Sequence, residues 1–112
     1  MNPEALKFLF DIHHAIQLIE DFTKGLTFTD YQKDFKTKSA VERQLGIIGE
    51  AVNKYGKLKS PELKNSKQIV AFRNRIIHAY DSVDDVIVWA ILKRHLSGLK
   101  EETIEFLKTH NV

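Results

Sequence analysis

The stretch AFRNRIIHAY, residues 71–80, carries Arg73, Asn74, His78 and Tyr80 within three helical turns. Histidine titrates near neutrality and can take a proton from a ribose hydroxyl. A planar guanidinium binds phosphate oxygens through two parallel hydrogen bonds and can stabilise charge growing on phosphorus. An asparagine amide and a tyrosine hydroxyl add orienting hydrogen bonds. Together these groups equip a ribonuclease that needs no metal because it uses the RNA's own 2′-hydroxyl as nucleophile.

Placed on a helix at about 100° per residue, the strip divides into two faces. Ile69, Phe72, Ile76 and Ala79 form an apolar side flanked by Val70 and Ile77. Arg73 and Tyr80 fall inside that apolar arc. Asn74, His78 and Asp81 line the opposite side, with Arg75 nearby. A tyrosine at an apolar edge is ordinary. An arginine there needs a partner for its charge: it can snorkel past the core, pair with Glu50 or Asp84, or face a cleft. Arg73 and His78 are five apart and do not share a face of an ideal helix, so spacing permits a common site without requiring it.

The chain that must position these residues has 112 amino acids and a net charge of +2, enough for one domain with a real core. With no cysteine, disulfides, thiol catalysis and thiolate metal sites are excluded. The N-terminus does not read as a signal peptide, and the longest apolar run, VIVWAIL at 86–92, is far short of the roughly 20 residues a membrane span needs. A cytoplasmic location and no membrane partner are the expectations.

Helical periodicity runs nearly throughout. Asn2 caps a first helix with Pro3 at its first position, and Ala5, Leu9, Ile12, Ile16 and Ile19 form its buried stripe. Gly25 stops it. Residues 26–36 read as a short helix or turn with Phe28, Tyr31 and Phe35 on its apolar side. A long helix follows from about Lys38 to Lys54, with Val41, Leu45, Ile48, Val52 and Tyr55 as its seam. Gly46 and Gly49 cost that helix about 1 kcal/mol each, which predicts close approach of a neighbouring helix. Residues 55–66 are a linker with one helical turn begun at Ser60 and Pro61, and the strip's helix spans Lys67 to Tyr80. Ser82 caps a last helix whose stripe is Trp89, Leu92, Leu96, Leu99, Thr103 and Phe106, with a kink at Gly98. The expected fold is an all-α, up-and-down bundle of four main helices plus short ones, in a single domain over 1–112.

Arg73, four residues, His78, one residue and Tyr80 resemble the R-x4-H-x-Y motif of HEPN domains. AVERQLGIIGEAVNKYG (40–56) is similar to the second long helix of their HepT-like branch, and RNRIIHAYDSVDDVIVWAIL (73–92) to its signature segment. The resemblance covers nearly the whole chain. It implies a homodimer whose two strips face one cleft, acting as the toxin of a toxin–antitoxin pair that cleaves RNA without metal or other cofactor. It further implies a minimal nucleotidyltransferase antitoxin that neutralises the toxin by transferring AMP to Tyr80. Carried over by position, Arg73 and His78 are the catalytic pair, Asn74 the supporting polar residue, and Tyr80 the modified and substrate-contacting one. The linker lacks a tryptophan often found in relatives, and RHLSGLKEE stands where many carry a proline pair; these differences bear on the cleft rim and partner docking.

Two other readings compete. In one, Arg73 merely pairs with Glu50 or Asp84 and His78 is surface. In the other, the chain is a non-catalytic nucleotide-binding subunit of a nucleotidyltransferase, which has no need of a proton-transfer residue. His13 and His14 point about 100° apart on a helix and cannot form a metal site alone. No H-E-x-x-H or Walker-type loop is present. Lysines 54, 57, 59, 64 and 67 form a basic stretch before the strip, ordinarily a solvated loop, but lying where RNA phosphates would pass.

Overall fold

A computed structural model describes residues 2–77 and 83–109, apart from the side chain of Ile77. Six helices are present among these residues: α1 Pro3–Thr23, α2 Phe28–Lys33, α3 Phe35–Tyr55, α4 Ser66–Ile77, α5 Asp85–Arg94 and α6 Leu96–Thr109. The all-α bundle expected from periodicity is therefore what the chain forms.

Each start has a local cause. Asn2 accepts from the Glu4 amide at 2.7 Å, with Pro3 opening α1 and Glu4 in its first turn. α1 stops before Gly25, whose φ of +77° suits a residue without a side chain. Thr27 and Asp30 form a reciprocal capping box on α2. Asp34 caps α3 by accepting from the Thr37 amide at 3.0 Å. That cap starts α3 at Phe35 rather than near Lys38, and it leaves the Phe35 ring 75% exposed instead of on the apolar side of α2.

The core lies where α1 packs on α3 and α6. The full α1 stripe, Ala5 through Ile19, is inaccessible to solvent, and the α3 seam is buried from Val41 to Tyr55. Each buried leucine or isoleucine contributes about 1.5–3 kcal/mol relative to exposure. α4 packs on the flank of α3, and α5 on α6. α5 also reaches α2, where the Trp89 ring tilts against Tyr31 with centroids 5.3 Å apart.

The C-terminal stripe runs through two helices, not one. The break falls at His95, whose amide donates to Ile91 at 3.0 Å to close α5. Gly98 lies inside α6, which runs unbroken from Leu96 to Thr109. No helical turn forms at Ser60 and Pro61; α4 begins at Ser66, directly after Asn65 in the left-handed region at φ 63°. Asp84 is the N-cap of α5, accepting from the Val86 amide at 2.9 Å. The expected cap, Ser82, lies outside the described residues. Among the described residues, no helix is long and apolar enough to cross a membrane.

Candidate functional site

Gly49 decides where α4 sits. A Cβ built on Gly49 would lie 2.1 Å from the Cβ of Arg73 and 2.5 Å from its Cγ. Only a residue without a side chain lets the two helices cross this closely. The expectation that a glycine of α3 marks helix approach holds at Gly49. It does not hold at Gly46, where an added Cβ would meet nothing within 4 Å.

The crossing lays the Arg73 side chain along α3 and delivers its guanidinium to Glu50. Arg73 Nη2 donates to Glu50 Oε2 in a charge-assisted hydrogen bond. Nη1 donates to Asn74 Oδ1 at 2.9 Å. Nε is buried with no partner among the described residues. Lys54 Nζ, one turn along α3, lies 3.5 Å from the other Glu50 oxygen. Of the carboxylates that could have matched Arg73, Glu50 is the one in contact, while Asp84 is engaged in capping α5.

Arg73 is 24% exposed through its side chain, so it is held but not sealed. It forms one wall of a groove of about 350 Å³ with Glu42, Arg43, Gly46 and Ile76. A second groove, of about 660 Å³, opens on the other flank of the crossing and is bounded by Asn53, Lys57, Lys67 and Asn74. The Arg73–Asn74 hydrogen bond joins the two. A guanidinium positioned by a carboxylate at an open groove can receive a phosphate or other planar anion.

Of the four residues singled out by the sequence, Arg73 and Asn74 are brought together; His78 and Tyr80 lie outside the described residues. The helix wheel placed Asn74 on the face away from Arg73, yet the long guanidinium reaches back to it. Asn53 escaped the sequence reading, although its spacing of four from Gly49 put it on the same face of α3, beside α4. No group of three or more metal-ligating side chains occurs among the described residues.

A family model described as "Ribonuclease HepT-like" matches residues 12–106. The chain belongs to the HepT-like family. A probable ribonuclease HepT of Thermococcus cleftensis is 40% identical over 104 residues, covering 89% of this chain and 93% of that one. A provisionally named RNase of Methanocaldococcus jannaschii is 34% identical over 115 residues, covering 96% and 90%. Another in Caldanaerobacter subterraneus is 32% identical over 104 residues, covering 87% and 91%. No solved structure matches the chain. The HepT-like match spans α3 and α4 whole, so the Gly49 crossing, Glu50, Arg73 and Asn74 all lie within the family's own domain.

Proposed function

We propose that this chain is the toxin of a HepT/minimal-nucleotidyltransferase toxin–antitoxin pair, a homodimeric, metal-independent endoribonuclease. The observation that carries the reading is Arg73, fixed by Gly49 and Glu50 at an open groove on the helix that leads to His78. In the reaction, His78 takes the proton of a ribose 2′-hydroxyl, and the oxygen attacks the adjacent phosphorus. The bond to the 5′-oxygen breaks, that oxygen gains a proton, and a 2′,3′-cyclic phosphate remains. Arg73 binds the phosphate oxygens and meets the charge that develops on them. Asn74 orients Arg73, and Glu50 holds the guanidinium in place before RNA arrives. Tyr80 is the position the antitoxin adenylylates.

One observation favours the second reading, a nucleotide-binding subunit without catalysis. The groove of about 660 Å³ bounded by Asn53, Lys57, Lys67 and Asn74 is large enough for the nucleotide that such a subunit must hold. The two readings part in a single experiment: cleavage of total RNA in excess EDTA by the wild type, Arg73→Ala and His78→Ala. Cutting by the wild type that both variants lose supports the ribonuclease. A wild type that does not cut but forms a complex with the nucleotidyltransferase encoded beside it supports the subunit.

A further inference from the structure

The larger groove contains chemistry that the reacting groups do not use. Its apolar floor includes Val52 and Val70, and its walls present Asn53, Lys57 and Ser60 from one side, Lys67 and Asn74 from the other. Lys57 and Lys67 are exposed, and neither has an ion-pair partner among the described residues. The groove's one carboxylate, Glu62, accepts from the Ser66 hydroxyl at 3.3 Å. Ser60 Oγ is buried with no partner among the described residues. Two lysines ten residues apart in sequence thus converge on a cavity of about 660 Å³, within the range of ligand-sized pockets.

We propose that this groove is a subsite for single-stranded RNA, holding nucleotides that flank the scissile phosphate. Lys57 and Lys67 bind a backbone phosphate there. Asn53 and Asn74, each with a donor and an acceptor, hydrogen-bond the sugar or base over the apolar floor. Lys67 lies six residues before Arg73, roughly 9 Å along α4 and turned to the other flank of the crossing, so a strand that meets both must pass Asn74 between them. Asn74 is the physical link, because its Oδ1 already accepts from Arg73 Nη1. The inference rests on the ribonuclease reading for its substrate, but it concerns binding and not bond cleavage. Phosphate contacts of this kind set affinity and register without reading sequence.

The test is fluorescence anisotropy of the full chain with an unstructured 2′-O-methyl RNA oligonucleotide, which lacks the nucleophilic hydroxyl. The double variant Lys57→Glu/Lys67→Glu is compared with Lys24→Glu/Lys36→Glu, which changes net charge equally on exposed positions elsewhere. The expected result is an affinity loss of tenfold or more for the groove pair alone, with the salt slope falling by about 0.7 per phosphate lost. Equal affinities for the two double variants would overturn the subsite. AMP binding the groove as tightly as the oligonucleotide would overturn it too, since a free nucleotide would then be its ligand. Cleavage of ordinary RNA by the wild type is scored separately. RNA cutting with groove-independent binding removes the subsite and leaves the ribonuclease; groove-dependent binding without cutting does the reverse.

Discussion

Arg73 crosses α3 at Gly49 so closely that a single methyl group between them would overlap the arginine's own Cβ, 2.1 Å away. The clash is with atoms tied to the α4 backbone, whose Cα at this residue is only 3.5 Å from the added carbon. No rotamer change relieves it; α4 must move.

Gly49→Ala is therefore expected to destabilise the fold despite its better helix propensity. Overpacking of this type costs about 1–3 kcal/mol or more, against about 1 kcal/mol gained from propensity. Gly46→Ala, with open space around it, keeps only the gain and should stabilise by up to about 1 kcal/mol. Urea melts of the two variants give the signs. A loss at Gly46 equal to that at Gly49 would contradict the geometry, or place a second chain against that face.

Glu50 acts on the reaction through Arg73. Glu50→Gln keeps the shape and removes the charge, leaving a half-buried guanidinium less firmly aimed. On the ribonuclease reading, kcat should fall by about tenfold, equivalent to ~1.4 kcal/mol, with a smaller change in KM. Arg73→Ala and Arg73→Lys should fall much further, because lysine cannot reproduce the planar fork. An unchanged kcat in Glu50→Gln would show that the carboxylate serves folding alone.

What the sequence could tell about this protein follows the range of each interaction. The stripes of α1 and α3 were legible because their periodicity is local, and every stripe residue from Ala5 to Ile19 is buried. The cap at Asp34 was also local, but Phe35 beside it suits the apolar side of a short helix over 26–36 just as well by residue type. The break at His95 was hidden because the spacing of Leu92, Leu96 and Leu99 runs through it unbroken. The partner of Arg73 was not legible at all beyond a short list. Three outcomes were compatible with its place on the wheel, and the choice of Glu50 depends on the crossing at Gly49, which is tertiary. The larger groove was legible only in part: Lys57 and Lys67 stand in the basic stretch before the strip, but the end of α3 and the start of α4 must be brought together before they share a cavity.

Tyr80 tests the regulatory half of the proposed function independently of the chemistry. Incubated with the nucleotidyltransferase and α-labelled ATP, the wild type should acquire label and lose RNA cutting. Tyr80→Phe should remain unlabelled, and its residual cutting should be insensitive to ATP. Labelling of Tyr80→Phe at the wild-type level would place the modified residue elsewhere.

A cluster of charges where α5 meets α3 makes stability depend on pH in a direction that can be worked out. Lys38 and Asp85 form an ion pair at 2.8 Å with side chains only 15% and 16% exposed, tying the first turn of α5 to α3. Glu42, one turn along α3 from Lys38, is pushed above the usual glutamate range, first by burial and then by the Asp85 charge, with Lys38 opposing. The same two carboxylates, after burial itself, hold the Tyr31 phenol in its protonated form. A carboxyl with a raised value in the folded state favours folding when protonated. Its contribution is complete below the ordinary glutamate value of about 4.3 and is lost as pH rises through the raised one. Glu42→Gln mimics the protonated form at every pH. Its Tm should exceed that of the wild type at about pH 8, and the gap should close as pH falls to about 4. A lower Tm for the variant at the higher pH would mean that Lys38 gains more from Glu42 than burial and Asp85 take away.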